Sequence, residues 1–126
     1  SSVNKIRNHF GVNLIAQEAA IAALSDQSYL TKIIELTKRA RSQIYEFCAT
    51  CGLQAIESQT NFVTIDCGSG RDYAQNILEL MGQKGYFLRM PTVSPHDRCI
   101  RVTVSTETEL GNFFQNFLSA ASKATK

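Results

Sequence analysis

The stretch Cys99-Ile100-Arg101-Val102-Thr103-Val104-Ser105 alternates strictly between apolar and polar residues from Ile100 onward. Successive side chains of a strand point to opposite faces, so Ile100, Val102 and Val104 share one face and Arg101, Thr103 and Ser105 the other. The run Thr106-Glu107-Thr108-Glu109 follows at once with capping-box spacing. It opens a helix whose Leu110, Phe113, Phe114, Phe117, Leu118 and Ala121 recur at helical intervals and make its inward face. A strand with one apolar face running directly into an amphipathic helix has few ways to bury both. The economical solution packs the helix on the apolar face of the sheet and leaves the polar face open.

The remaining elements follow from punctuation and periodicity. Residues 12–24 hold many alanines and aliphatic side chains and no breaker, which predicts a short helix apolar enough to be mostly buried. Ser25-Asp26-Gln27 is a cap-like break. A longer helix follows with Leu30, Ile33, Thr37, Ala40, Ile44, Phe47 and Cys51 along one stripe, and Lys32, Glu35, Lys38, Arg39, Ser42 and Glu46 on a solvated face. Gly52 ends it. Asn61–Asp66 has the β-branched content of a strand. Residues 67–70 are a turn, residues 72–84 a helix with Ala74, Ile77, Leu78 and Met81 inward, and Tyr86–Met90 a second strand. Pro91–Arg98 is a loop. The predicted order is α-α-β-α-β-β-α. The fold class is α+β, a two-layer sandwich with a small, mainly antiparallel sheet and helices on one face.

Composition excludes several functions. With 13 basic and 11 acidic residues in 126, the charge is nearly balanced, and no basic stripe predicts a nucleic-acid partner. No apolar run approaches the ~20 residues of a membrane span. Nothing resembles the charged and apolar halves of a signal peptide, and the four cysteines suit a reducing compartment, so a cytoplasmic location is expected. Cys48 and Cys51 form a C-x-x-C, but Cys67 and Cys99 are isolated and His9 and His96 have no mutual ligand spacing. A redox C-x-x-C opens a helix, whereas Gly52 closes one here, so the cysteines are read as packing residues and no metal is expected. Gly68-Ser69-Gly70 is read as a tight turn, because Tyr73 stands where a dinucleotide fingerprint needs glycine.

Two arginines stand out. Arg101 lies mid-strand on the predicted open face, and Arg89 lies near the end of its own predicted strand, on the side of Phe87. A guanidinium presents a planar fork of donors that suits carboxylate or phosphate oxygens. Most strand arginines are solvated or paired with a nearby acid. Alternation alone leaves both readings open.

Four segments in order carry a resemblance: Phe10-Gly11-Val12-Asn13-Leu14-Ile15-Ala16-Gln17; Ser58-Gln59-Thr60-Asn61-Phe62-Val63; Gly85-Tyr86-Phe87-Leu88-Arg89-Met90; and Asp97-Arg98-Cys99-Ile100-Arg101-Val102-Thr103-Val104-Ser105-Thr106 with Glu109. Together they resemble the C-terminal part of histidinol-phosphate aminotransferases, which are fold-type I pyridoxal-phosphate (PLP) enzymes. The resemblance covers essentially the whole chain. It implies that residues 1–126 are one C-terminal small domain, with the PLP-binding large domain absent. It also implies that Arg101 binds the substrate α-carboxylate and that Arg89 contributes to the substrate's phosphate end. Ser105 replaces the family's usual glycine, and Met90-Pro91 follows Arg89 where polar residues are common, so the substrate need not be histidinol phosphate.

PLP chemistry needs a Schiff-base lysine. None of Lys5, Lys32, Lys38, Lys84, Lys123 and Lys126 has the Ser-Lys-hydrophobic context of the family. The chain opens at Ser1 in helix-like sequence, which reads as a cut. The expectation is a piece of a homodimeric PLP aminotransferase acting on an amino acid and a 2-oxo acid. Alone it is expected to be inactive and cofactor-free, and to expose the sheet face around Phe87 and the first helix, which either self-associate or are stabilised only by crystal contacts. The alternative is a free-standing α+β anion-binding or regulatory module. A Ser-Lys-x-Phe-Gly-Leu-Ala-Gly-like stretch within ~30 residues before Ser1 separates the two, because it would supply the missing lysine.

Overall fold

The computed structural model describes residues 11–124. They divide into two compact units, the first ending at Glu35 and the second beginning at Leu36.

The first unit holds helix α1, Leu14–Ser25, and the start of helix α2, Gln27–Thr50. Asn13 caps α1 by accepting a hydrogen bond from the Ala16 amide. The Asp26 carboxylate likewise accepts from the Tyr29 amide at the head of α2. The expected break at residues 25–27 is therefore a true cap. The expected burial of the first helix is not found. No residue of α1 is buried, and Leu14, Ile15 and Leu24 are 72%, 83% and 67% exposed. Its apolar residues run round the whole helix and not along one stripe, a pattern that calls for enclosure on all sides. Leu30 and Ile33 of the predicted α2 stripe are also exposed.

The second unit contains the rest of α2, strands β1 (Gln54–Ile56) and β2 (Phe62–Asp66), helix α3 (Arg71–Gln83), strand β3 (Cys99–Thr103) and helix α4 (Glu107–Lys123). The sheet is three-stranded and antiparallel, in the order β1-β2-β3. Val63, Ile65, Ile100 and Val102 are buried on one face. They join Ala40, Ile44 and Cys48 of α2, Tyr73, Ala74, Ile77 and Met81 of α3, and Leu110, Phe113, Phe117 and Ala120 of α4 in a single core. Phe47 stacks on Phe114 at 4.3 Å, with Phe117 edge-on at 5.9 Å. The α2 stripe thus runs at four-residue steps through Cys48, and Cys51 is only partly buried. Leu78 is half-buried and Leu118 is 48% exposed, so each of these two helices buries a slightly different stripe from the one predicted.

The two-layer α+β class holds, and one strand changes place. Gln54–Ile56, unremarked in the sequence, is the edge strand β1. The predicted strand Tyr86–Met90 makes only an isolated bridge, Arg89 to Arg101. The cause is local. Gly85 takes φ +85° after α3, and the Tyr86 amide donates back to the Met81 carbonyl. The Tyr86 ring then packs edge-on against Phe113 at 5.8 Å, and its hydroxyl accepts from Asn116. These ties hold the start of the segment to the helices, so only Arg89 reaches the edge of β3. Within the predicted loop, His96–Arg98 forms one 3-10 turn.

Candidate functional site

The face of the sheet away from the core is built by register. Ile56 pairs with Thr64, Thr64 with Arg101, and Arg101 with Arg89. These four side chains share one row, since directly opposed residues point to the same face. Phe62 and Thr103 form the next row on one side, and Asp66 and Cys99 lie on the other.

Each arginine of this region meets a different environment. Arg98 closes a bidentate pair with Asp66, with Nε to Oδ1 at 2.9 Å and Nη2 to Oδ2 at 2.7 Å. Asp66 also accepts from the Gly68 amide. The Arg98 guanidinium and this amide hold the Asp66 carboxyl below the usual carboxylate range. Arg101 has no such acid. Among the described residues no carboxylate lies within ion-pair distance of it or of Arg89. Its Nε is buried with no hydrogen-bond partner among those residues. Its guanidinium carbon sits 3.8 Å from the centroid of the Phe62 ring. The backbone amide of Arg101 donates to the Arg89 carbonyl at 2.7 Å, which places the two cationic residues directly opposite each other. Arg101 is half-buried and Arg89 is exposed. Sequence alternation had located Arg101 on the open face. It could not show that the neighbouring acid, Asp66, is engaged by Arg98, or that Phe62 lies beneath the guanidinium.

A cleft of about 430 Å³ lies beside this row, lined in part by Tyr86, Phe87, Leu88, Thr103, Ser105 and Glu109. It occupies the gap left where residues 86–88 part from β3, and neither Arg89 nor Arg101 lines it. At its rim Ser105 and Thr106 both donate to the Glu109 carboxylate, and Thr106 accepts from the Glu109 amide. These bonds lower the Glu109 carboxyl below its usual range. Ser105 is exposed here and makes this contact through its hydroxyl, a role open to serine and closed to glycine.

The cysteines are free thiols. Burial pushes Cys48 up to about 11 and Cys67 up to about 12, with neighbouring thiols adding to both, so neither is a ready thiolate. Gly68 and Gly70 both take positive φ in the turn between β2 and α3, as a tight turn requires.

The family model for aminotransferase class I and II matches residues 1–117. The chain belongs to this family. It is 31% identical over 113 residues to the histidinol-phosphate aminotransferase of Moorella thermoacetica, covering 90% of this chain and 28% of that protein. The enzyme of the same name from Bacillus subtilis (strain 168) is 32% identical over 105 residues, covering 83% of this chain and 28% of the relative. Among solved structures, the histidinol-phosphate aminotransferase of Sinorhizobium meliloti in complex with pyridoxal-5'-phosphate superposes with a TM-score of 0.86 at 38% identity. That match covers 98% of this chain and 34% of the other. The chain therefore spans about 28% of the length of these curated aminotransferases.

The aminotransferase cofactor needs an amine held ready for imine formation. Lys32, Lys38, Lys84 and Lys123 are all exposed, and Lys84 donates to Asn116. All four are open to solvent, and none belongs to the row of Arg89 and Arg101. Lys5 and Lys126 lie outside the described residues. Among those residues, no helix is long and apolar enough to cross a membrane.

Proposed function

We propose that this chain is the C-terminal small domain of a cytoplasmic, homodimeric, PLP-dependent aminotransferase of the histidinol-phosphate type, and that it serves substrate recognition. Arg101 takes the carboxylate of the amino-acid or 2-oxo-acid substrate, and Arg89 takes the anionic far end. Amino-group transfer belongs to the cofactor, which residues outside this chain would hold. The chain contributes position: a substrate gripped at its carboxylate has its α-carbon fixed relative to the reacting group.

One observation carries this reading. Arg101 is a half-buried cation opposite a second cation, with a buried Nε that no described residue satisfies. Like charges directly opposed across strands destabilise a sheet, and an unsatisfied buried donor costs free energy. An anion at the pair relieves the repulsion and supplies the missing acceptors for the guanidinium fork. The domain boundaries and the dimer rest on the family resemblance alone, and the PLP requirement is supported by the family and by the solved relative that holds PLP.

The test is Arg101→Lys in an enzyme that carries this chain as its C-terminal part. A lysine keeps the charge and loses the fork, so KM for the carboxylate substrate should rise roughly 10- to 100-fold. PLP affinity should stay near that of the parent. Unchanged KM removes Arg101 from the substrate site.

A further inference from the structure

Phe62 sits in the row next to Arg101, one strand away: Thr64 is the direct partner of Arg101, and Phe62 that of Thr103. A diagonal neighbour on the same face is within reach of a long side chain. The Arg101 guanidinium carbon lies 3.8 Å from the Phe62 ring centroid, which is stacking distance. Phe62 is itself half-buried, so one face of the guanidinium meets a ring and not water. The guanidinium donates no hydrogen bond to a described residue, and its Nε is buried without a partner among them. The ring is therefore in position to set the plane of the donor fork.

Resting on the reading of Arg101 as the carboxylate ligand, we infer that Phe62 is a positioning residue for it. Three consequences follow from the contact. The ring holds the long side chain down on the sheet, so little rotamer freedom is lost when an anion binds. It keeps water from one face of the cation, which strengthens attraction to an incoming carboxylate. And it leaves the charge intact, because a π face attracts a cation without supplying the acceptor that an acid would. A carboxylate in place of Phe62 would occupy the fork, as Asp66 occupies that of Arg98. The ring orients Arg101 and, unlike an acid, takes none of its donors.

The experiment uses the 126-residue chain with glutarate as the probe, at matched ionic strength. The Nε–Hε proton resonance of Arg101, assigned by its loss in Arg101→Lys, should carry a ring-current shift in the wild type. Phe62→Leu should abolish that shift and weaken glutarate binding roughly tenfold, whereas Phe62→Tyr should keep both near wild type. Phe62→Met gives the same comparison should the leucine variant fail to fold. A lost contact that merely loosened the fold would not be rescued by tyrosine with the shift restored. Wild-type glutarate affinity in Phe62→Leu or Phe62→Met, alongside weakened binding in Arg101→Lys, overturns the role of Phe62 alone. Wild-type affinity in Arg101→Lys overturns the carboxylate reading and the positioning role with it.

Discussion

Asp66 and Arg98 illustrate how side chains near one another divide their tasks. The bidentate geometry engages Asp66, the carboxylate in the row beside Arg101, and so leaves Arg101 without an acid partner among the described residues. Asp66 has its carboxyl lowered by Arg98 and by the Gly68 amide. A depressed carboxyl contributes stability that is complete above its unfolded value near 3.8 and is lost as pH falls through the lower folded value. Asp66→Asn should therefore destabilise the chain at neutral pH by about 1 kcal/mol, a modest figure because Arg98 is partly exposed. The variant should also show a flatter loss of stability below that pH in denaturant titrations. An acid limb identical to wild type would mean the pair contributes nothing. None of this pairing was legible in the sequence, since Asp66 and Arg98 are 32 positions apart. Arg101, by contrast, could be placed on its face from alternation alone, because the period of a strand is local.

Helix α4 was legible almost in full. Its first turn is a reciprocal cap in which Thr106 accepts from the Glu109 amide and the Glu109 carboxylate accepts from the Thr106 hydroxyl. Thr106→Ala should cost about 1 kcal/mol, and Thr106→Ser much less, by thermal or chemical denaturation. Equal stability of the alanine variant would show that the cap is dispensable. In α4 the cap and the aromatic stripe lie within a few residues of each other, and in α3 an apolar stripe runs between Gly70 and Gly85, which is why both could be found from sequence with small errors at Leu78 and Leu118. Strands were less legible. Gln54–Ile56 is three residues long with no alternation to detect, and it is a strand because β2 lies beside it. Tyr86–Met90 has good strand composition, yet Tyr86 is claimed by Met81, Phe113 and Asn116 before the ladder can extend. A strand exists only with a partner, and partners are distant in sequence.

At the scale of the whole molecule, the exposed apolar residues of α1 are the feature that most needs explaining. Leu14, Ile15, Ile21 and Leu24 face solvent in a chain that spans about 28% of its curated relatives. Exposed apolar surface of this kind promotes association and dye binding. The isolated chain should bind an apolar dye, and Ile15→Lys with Leu24→Lys should reduce that signal while leaving helical content unchanged. A monodisperse monomer that binds no dye would contradict this. Incubating the chain with PLP and then borohydride should trap no stoichiometric adduct, because its described lysines are solvated. A stoichiometric, site-specific adduct would sink the proposal that the cofactor is held elsewhere. The sequence by itself determined the family, the α+β class, the helix boundaries and the face on which Arg101 stands, because caps, stripes and alternation are written over a few neighbouring residues. Tertiary structure alone decided that Arg89 opposes Arg101, that Asp66 is engaged by Arg98, that Phe62 underlies the guanidinium and that α1 is bare. Each of these depends on which strand lies beside which and on what covers a helix, and packing between distant segments decides both.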